Sequence, residues 1–283
     1  MKKIAITLMI TTGLLVTYNP QTVSAGFDWG KVLNEIKHSD TRNNDRYMSN
    51  IAYQEIVLDG TYYRGEAYSI NRKNNEVVSE NYFTLNEPSV IDIHAVGYSN
   101  DNASSFSFRL YDEDENQIGK KINVSGGNAK DAMMVLSPGR YRINVIYHCI
   151  KKQGHGEYKF KVNQMPISVT AEQDMARPES AHQIYFGSNT VNYIKDGQSN
   201  KNEHQYYSFD LQQPSNVRIY NVILGGKGSM GICVLDAEER VIDKYYTYNG
   251  IIDETIQLAK GKYFLRVEKS YSEGVSYQLR ISG

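Results

Sequence analysis

The sequence predicts an all-β protein built from two tandem antiparallel β-sandwich or jelly-roll domains with a short N-terminal helix. Two observations lead to this fold class. From residue 52 onwards, short segments alternate apolar and polar side chains and are separated by turn residues, which is typical of strands with one buried face. The same motifs also occur twice in the same order, which is typical of a duplicated domain.

A glycine turn followed by an alternating strand marks each copy. Residues 136–145 read LSPGRYRINV, and residues 258–267 read LAKGKYFLRV. Three more motifs repeat in the same order: FTLNEPS at 83–89 and FDLQQPS at 209–215, FRLYD at 108–112 and ICVLD at 232–236, YKFKV at 158–162 and YQLRI at 277–281. We therefore predict one sandwich at 52–164, a linker at 165–180 and a second sandwich at 181–283, with Tyr141 and Tyr263 of the glycine-turn strands packing in the cores.

The first 25 residues are typical of a secretory signal peptide. Lys2 and Lys3 precede an apolar run at 4–16, and small residues at 23–25 form a cleavage site. The apolar run is short for a membrane span. We expect residues 1–25 to be removed and the chain to be secreted, with an uncleaved anchor as the alternative.

Residues 26–51 are predicted to form an amphipathic helix followed by a polar connector. The apolar residues of the helix have the spacing i, i+3, i+4, i+7; they are Trp29, Val32, Leu33 and Ile36. A helix of about three turns is marginal alone and needs a surface to pack on. Two hypotheses follow: the helix docks on its own first domain, or its apolar face binds a partner protein.

Charge and motif content exclude several classes of protein. The chain has 31 lysines and arginines against 32 aspartates and glutamates, whereas a nucleic-acid binder or a polybasic membrane-surface protein needs a basic excess. The six histidines are scattered, and no zinc-protease or Cys-x-x-Cys motif occurs. We expect no catalytic residues and no enzyme activity. Cys149 and Cys233 stand at non-equivalent places in the repeat, which leaves open whether they form a disulfide.

Each copy also has an aromatic strand before a short turn, a strand that ends in aspartate, and a closing strand with aromatic and apolar alternation. The residues are Tyr82, Phe83, Asp112 and 158–162 in the first copy, and Tyr207, Phe209, Asp236 and 277–281 in the second. These features resemble the bacterial pre-peptidase C-terminal domain family, to which the collagen-binding domains of clostridial collagenases are similar. The resemblance implies compact β-sandwiches that accompany secreted enzymes, lack catalytic residues and often bind polymeric or matrix ligands.

Calcium is the one cofactor for which the sequence offers candidate ligands. Members of this family often carry paired aspartates before the aromatic strand, but this chain has Ser-Glu-Asn at 79–81 and His-Gln-Tyr at 204–206. A second candidate is the acidic turn, where Asp112, Asp114 and Asn116 present alternating oxygen ligands. The turn lacks the glycine and the distal bidentate glutamate of a helix–loop–helix calcium site. We favour a solvated hairpin turn, with calcium as the alternative.

The candidate ligand-binding residues are Tyr245, Tyr246 and Tyr248. The chain holds 23 tyrosines against 8 phenylalanines, and a tyrosine has an apolar ring with a polar tip that suits a wet binding surface. On a strand, Tyr246 and Tyr248 share one face and Tyr245 points to the other. Alternation does not say which face is the core, so both remain open: Tyr246 and Tyr248 bind a ligand, or they pack in the sandwich.

Together, these features predict a secreted, non-catalytic protein that recognises an extracellular polymer, either a matrix protein or a polysaccharide. Repetition of a binding module suits a polymer, because the second contact becomes intramolecular. The alternative is an accessory subunit or inhibitor of a secreted enzyme that docks through the N-terminal helix. We expect no nucleic-acid partner, and no membrane contact once the signal peptide is removed.

Overall fold

The structure, a computed structural model, describes residues 6–9, 15–18, 52–69, 76–100, 104–149, 154–171, 175–196, 204–227, 229–247, 250–270 and 273–283. The predicted N-terminal helix with Trp29, Val32, Leu33 and Ile36 lies outside these residues. The chain divides into two compact units, Met1–Met48 and Ser49–Gly283. In the first unit, β1 (Ile6–Met9) and β2 (Leu15–Tyr18) pair antiparallel. Within the described residues, no helix has the length and apolarity required to cross a membrane.

The first sandwich consists of a five-stranded and a four-stranded sheet. Its strands are β3 (Ala52–Glu55), β4 (Tyr63–Ser69), β5 (Glu76–Leu85), β6 (Ser89–Ser99), β7 (Ser105–Tyr111), β8 (Gln117–Val124), β9 (Ala129–Leu136), β10 (Gly139–His148) and β11 (Gly154–Pro166). The sheet orders are β3-β5-β10-β7-β8 and β4-β11-β6-β9. Phe83, Phe106, Phe108 and Phe160 lie in the core between the sheets, each at most 1% exposed. Alternation along the strands therefore buries one face of each sheet, as predicted.

The second sandwich repeats this arrangement strand for strand. It begins with a 3-10 turn (Pro178–Ser180) and continues with β12 (His182–Gln183), β13 (Asn189–Ile194), β14 (His204–Leu211), β15 (Ser215–Gly226), β16 (Ser229–Leu235), β17 (Val241–Thr247), β18 (Ile251–Leu258), β19 (Gly261–Ser270) and β20 (Val275–Ser282). The sheet orders are β12-β14-β19-β16-β17 and β13-β20-β15-β18. The all-β fold class with two tandem sandwiches is confirmed.

One feature of the sheets differs from a purely antiparallel arrangement. The edge strands β3 and β12 pair parallel with β5 and β14, respectively. In each copy, the chain leaves this edge strand, contributes a strand to the opposite sheet, and only then returns to the neighbouring position. Such a crossover connection is what parallel neighbours need, whereas a tight hairpin would force them antiparallel.

The glycine-turn motif has the packing role that we expected for its tyrosines. Tyr141 and Tyr263 are each 7% exposed and belong to the two cores. The Tyr141 hydroxyl donates to the carbonyl of Ser137 at 2.8 Å, and the Tyr263 hydroxyl donates to the carbonyl of Ala259 at 3.0 Å. Each hydroxyl thus satisfies a backbone acceptor at the turn before its own strand.

The two sandwiches are in direct contact within the second unit. Val90 and Val135 of the first sandwich form a buried cluster with Ile167 and Tyr193, and Val169 packs against it. Ile167 and Val169 lie in the stretch predicted as a linker at 165–180. These two residues take part in the contact between the sandwiches, and the Ile167 N–H donates to the Pro88 carbonyl at 2.8 Å.

The two cysteines lie in different sandwiches. Cys149 follows β10 and Cys233 lies in β16, and both are buried thiols rather than the halves of a disulfide. Burial raises the pKa of the Cys233 thiol, which keeps it protonated at neutral pH. A buried thiol with a raised pKa is a poor nucleophile, so Cys233 acts as a packing residue.

Candidate ligand-binding face

The outer face of the second five-stranded sheet brings together the residues around Tyr246. Strand register sets the arrangement, because residues that pair across neighbouring strands point to the same face. Tyr246 of β17 pairs with Gly231 of β16, which in turn pairs with Glu268 of β19. The adjacent row contains Lys244 and Arg266, on either side of Cys233.

Tyr246 lies on the solvent side of this sheet. Its side chain is 52% exposed, so it does not pack in the sandwich core. Its ring lies against Gly231: an alanine methyl group at position 231 would come within 2.7 Å of Tyr246 Cε1. The missing side chain of Gly231 therefore lets the tyrosine ring rest on the backbone of the neighbouring strand, while about half of the side chain stays exposed to solvent.

A cation and a carboxylate hold the tyrosine hydroxyl. Lys244 Nζ donates to Tyr246 Oη at 3.0 Å and lies 5.6 Å from the ring centroid. The Tyr246 hydroxyl donates to Glu268 Oε1 at 3.3 Å. The hydrogen bond to Tyr246, together with the Glu268 carboxylate, raises the pKa of Lys244, so the ammonium stays charged at neutral pH. These contacts restrain the ring before any ligand arrives.

Apolar packing also stabilises part of this outer face. Cys233, Leu235, Tyr206 and Phe264 form a buried cluster on the outer side of the sheet, next to Ala181. Arg266 extends over the cluster, and its Nη2 lies 3.4 Å from Cys233 Sγ. Its Nε lies 3.3 Å from Glu268 Oε2. The Glu268 carboxylate therefore connects the arginine to the Tyr246 hydroxyl.

Of the other two predicted tyrosines, Tyr245 is described by the structure, and it does not join Tyr246 on this face. Tyr245 points to the opposite side, as alternation predicted, and packs half-buried against the core of the second sandwich. Its hydroxyl donates to Asp243 Oδ2 at 3.0 Å, and burial together with that hydrogen bond raises the pKa of Tyr245 to about 12. Tyr248 lies outside the described residues.

The acidic turn uses its leading aspartate to build the hairpin. Asp112 Oδ1 accepts the backbone N–H groups of Asp114 at 3.1 Å and Asn116 at 2.8 Å. Asp112 Oδ2 accepts the Asn116 side-chain amide at 3.1 Å. These hydrogen bonds are sufficient to explain why an aspartate begins the turn. The calcium prediction for Asp112, Asp114 and Asn116 remains untested.

The equivalent turn of the second sandwich has the same construction. Asp236 Oδ1 accepts the backbone N–H groups of Glu238 at 3.0 Å and Arg240 at 2.9 Å. Glu115 and Glu239, at the same place in each turn, have positive φ angles of 63° and 62°. The aspartates of the two repeats therefore share a structural role in folding the turn.

Sequence reasoning missed the residues that shape the surface around Tyr246. Lys244 could have been found, because it stands two residues before Tyr246 on the same face of a strand. Gly231 and Glu268 could not, since their position next to Tyr246 depends on how β16, β17 and β19 pair. Such register is a long-range property that local alternation does not contain.

Comparisons with known proteins give distant similarities. No protein-family model and no curated protein matches the chain. The pre-peptidase C-terminal domain of a Bacillus anthracis collagenase is 21% identical, with a TM-score of 0.30, over 42% of this chain and 100% of its own. The CBM22-1–CBM22-2 tandem domain of Paenibacillus barcinonensis Xyn10C is 8% identical, with a TM-score of 0.26, over 80% of this chain and 95% of its own. Membership of the pre-peptidase C-terminal family stays a prediction.

Proposed function

We propose that this chain is a secreted, non-catalytic protein that binds an extracellular polymer, a polysaccharide or a matrix protein, through the face around Tyr246. One observation supports this most directly: Tyr246 is 52% exposed, and its ring rests on the backbone at Gly231. An exposed aromatic ring on a rigid sheet is suited to stacking on a sugar ring or on an extended peptide.

The polar groups around the ring also suit such a ligand. Lys244 and Glu268 provide a hydrogen-bond donor and an acceptor next to Tyr246. Because these side chains already hold one another, little side-chain entropy remains to be lost when a ligand binds. A flat ring with adjacent polar groups is what a surface needs to bind hydroxyl-rich or amide-rich chains.

Strand β17 extends the same surface. It is an edge strand of its sheet, and its residues Val241 and Ile242 are 52% and 44% exposed. An exposed strand edge leaves backbone groups available for hydrogen bonding. Exposed apolar side chains on that edge add contact area beside the aromatic ring. A polymer that runs along β17 would contact both features.

A retention assay tests the proposal. The purified full chain is mixed with insoluble collagens, cell-wall glycans and plant polysaccharides, and the bound fraction is measured for wild type and Tyr246→Ala. We expect wild type to be retained by one polymer class, and the variant to bind it about tenfold more weakly or worse, a loss of about 1.4 kcal/mol or more. Tyr185→Ala is the matched control, since Tyr185 is 64% exposed elsewhere in the second sandwich.

Two outcomes would contradict the proposal: no polymer retains the wild-type chain, or Tyr246→Ala binds as well as wild type. A third variant, lacking residues 26–50, separates polymer binding from docking through the N-terminal segment. Because the proposed face lies entirely in the second sandwich, we expect this deletion to leave retention unchanged. Loss of retention would favour the N-terminal segment instead.

A further inference from the structure

Three potential metal ligands lie together on the four-stranded sheet of the first sandwich. Glu66 of β4 and His155 and Glu157 of β11 each offer one ligand atom, and these atoms lie within 4.8 Å of one another. Glu66 and Glu157 are exposed and His155 is half-buried, whereas Gly156 between them is buried. The group therefore lies on the outer, solvent side of the sheet.

The two glutamates form a pair that is unfavourable by itself. Glu66 and Glu157 are directly opposite each other in the antiparallel register of β4 and β11. Like charges at directly opposed positions destabilise a sheet. Among the ion pairs of the described residues, Glu66 pairs only with His155, and Glu157 has none with a lysine or an arginine. A bound cation would remove this repulsion.

One nitrogen of the His155 imidazole, Nε2, lies near Glu66 without a hydrogen bond. This atom is shielded from solvent, has no hydrogen-bond partner, and lies 3.7 Å from Glu66 Oε2. That separation is too long for a hydrogen bond. It is close to the spacing of about 3.4 Å between two ligand atoms of a tetrahedral zinc ion with bonds of about 2.1 Å.

Tyr68 orients two of these side chains. Its ring stacks on His155 with 4.5 Å between the centroids and an angle of 20° between the planes. Its hydroxyl donates to Glu66 Oε2 at 2.7 Å. Metal ligands are commonly oriented in this way by neighbouring hydrogen bonds and packing. Tyr68 thus acts as a positioning residue.

We propose that Glu66, His155 and Glu157 form a zinc site. An imidazole nitrogen with two carboxylates is a ligand set for a first-row transition ion, whereas calcium takes oxygen ligands only. Three protein ligands leave the fourth tetrahedral position for water or for a group of a binding partner. Because β4 is the edge strand of its sheet, the ion would also clamp that edge to β11.

A zinc titration of the metal-free full chain, measured by calorimetry, tests the site. We expect saturable binding of one zinc ion, accompanied by a rise in Tm, and no calcium binding that depends on His155. His155→Ala and Glu157→Gln are each expected to weaken zinc binding at least tenfold. His94→Ala is the matched control, because His94 lies on the same sheet and contacts a single carboxylate, Asp131, at 2.6 Å. Its zinc affinity should equal that of wild type.

Glu157→Gln keeps the test decisive if His155→Ala folds poorly. This substitution removes the repulsion between positions 66 and 157, so its Tm without metal should not fall below that of wild type. A lower zinc affinity in a fully folded Glu157→Gln chain then reports a lost ligand. The proposal is overturned if wild type shows no saturable zinc binding, or if Glu157→Gln binds zinc as tightly as wild type.

Discussion

The backbone N–H of Val135 donates a 2.6 Å hydrogen bond to Oδ2 of Asp196, and the N–H of Asp196 donates to the Val135 carbonyl at 2.8 Å. Val135 lies in β9 of the first sandwich and Asp196 follows β13 of the second, so this reciprocal pair joins the two. Asp196 is 5% exposed, and this burial raises its pKa to about 6, against the lowering effects of Val135, Gly274 and Lys269.

The raised pKa of Asp196 predicts a pH-dependent free energy of unfolding. Between the ordinary pKa of 3.8 and about 6, the folded chain holds a proton on Asp196 that the unfolded chain has released. Stability from this group is therefore full below pH 3.8 and decreases as the pH rises to about 6, by at most roughly 3 kcal/mol. Urea unfolding at pH 4, 5, 6 and 7 measures the change.

The variant Asp196→Asn isolates the contribution of this side chain. An asparagine can still accept the Val135 N–H but stays neutral at every pH, so its unfolding free energy should lack the decrease between pH 4 and 6. Exposed Asp210→Asn serves as the control and should follow wild type. Parallel pH profiles for wild type and Asp196→Asn would show that the buried carboxyl does not control the change.

Gly231→Ala should displace the Tyr246 ring while leaving the tyrosine side chain itself unchanged. The added methyl group would lie 2.7 Å from Tyr246 Cε1 and 2.9 Å from Cδ1, so the ring has to move away from the sheet. We expect faster nitration of Tyr246 by tetranitromethane, read by peptide mass spectrometry, and weaker polymer retention. Ser229→Ala, on the same strand, should change neither. Unchanged nitration of Tyr246 in Gly231→Ala would show that the ring does not depend on this glycine.

Tyr277→Phe should destabilise the second sandwich. The Tyr277 hydroxyl is buried, lies 2.7 Å from the Tyr207 hydroxyl and donates to Gln205 Oε1. Its removal leaves buried polar partners unsatisfied, at a cost of about 1–3 kcal/mol. Chemical denaturation measures this cost, with exposed Tyr185→Phe as the neutral control.

A double substitution tests whether the two tyrosines act together. The cost of Tyr207→Phe with Tyr277→Phe should be smaller than the sum of the single costs, because each change removes the same hydrogen bond between them. Strict additivity would show that the two hydroxyls are energetically independent.

Glu239→Gly should stabilise the chain. Glu239 has a φ angle of 62°, a left-handed conformation that is unfavourable for residues with a Cβ atom, by about 1 kcal/mol. Glycine adopts it freely, although its greater freedom in the unfolded chain offsets part of the gain. We expect a small rise in Tm. Ala237→Gly in the same turn should lower Tm or leave it unchanged; if Glu239→Gly also lowers Tm, the backbone there is not strained.

Much of the fold could be predicted because its signals are local. Alternation along Tyr158–Val162 indicated a strand with one buried face, and β11 places Tyr158, Phe160 and Val162 in the core. The repeated glycine-turn motif indicated duplication, and the two sheet orders match strand for strand. Both signals need only neighbouring residues or a comparison of the chain with itself.

The parts that could not be predicted depend on contacts between distant residues. The outward position of Tyr246 follows from which face of β17 meets the core, and alternation is the same for both faces. Nothing in the sequence around Asp196 indicates that it is buried, because its contact with Val135 joins distant parts of the chain. Glu66 and Glu157 meet only through the register of β4 and β11.

The contact made by Ile167, Val90 and Tyr193 has a consequence for how the chain denatures. Repeated domains on a loose tether melt independently, each with its own transition. Here, unfolding either sandwich would strip the apolar cover from the other and break the Val135–Asp196 pair. We therefore expect the two repeats to unfold together as one cooperative unit.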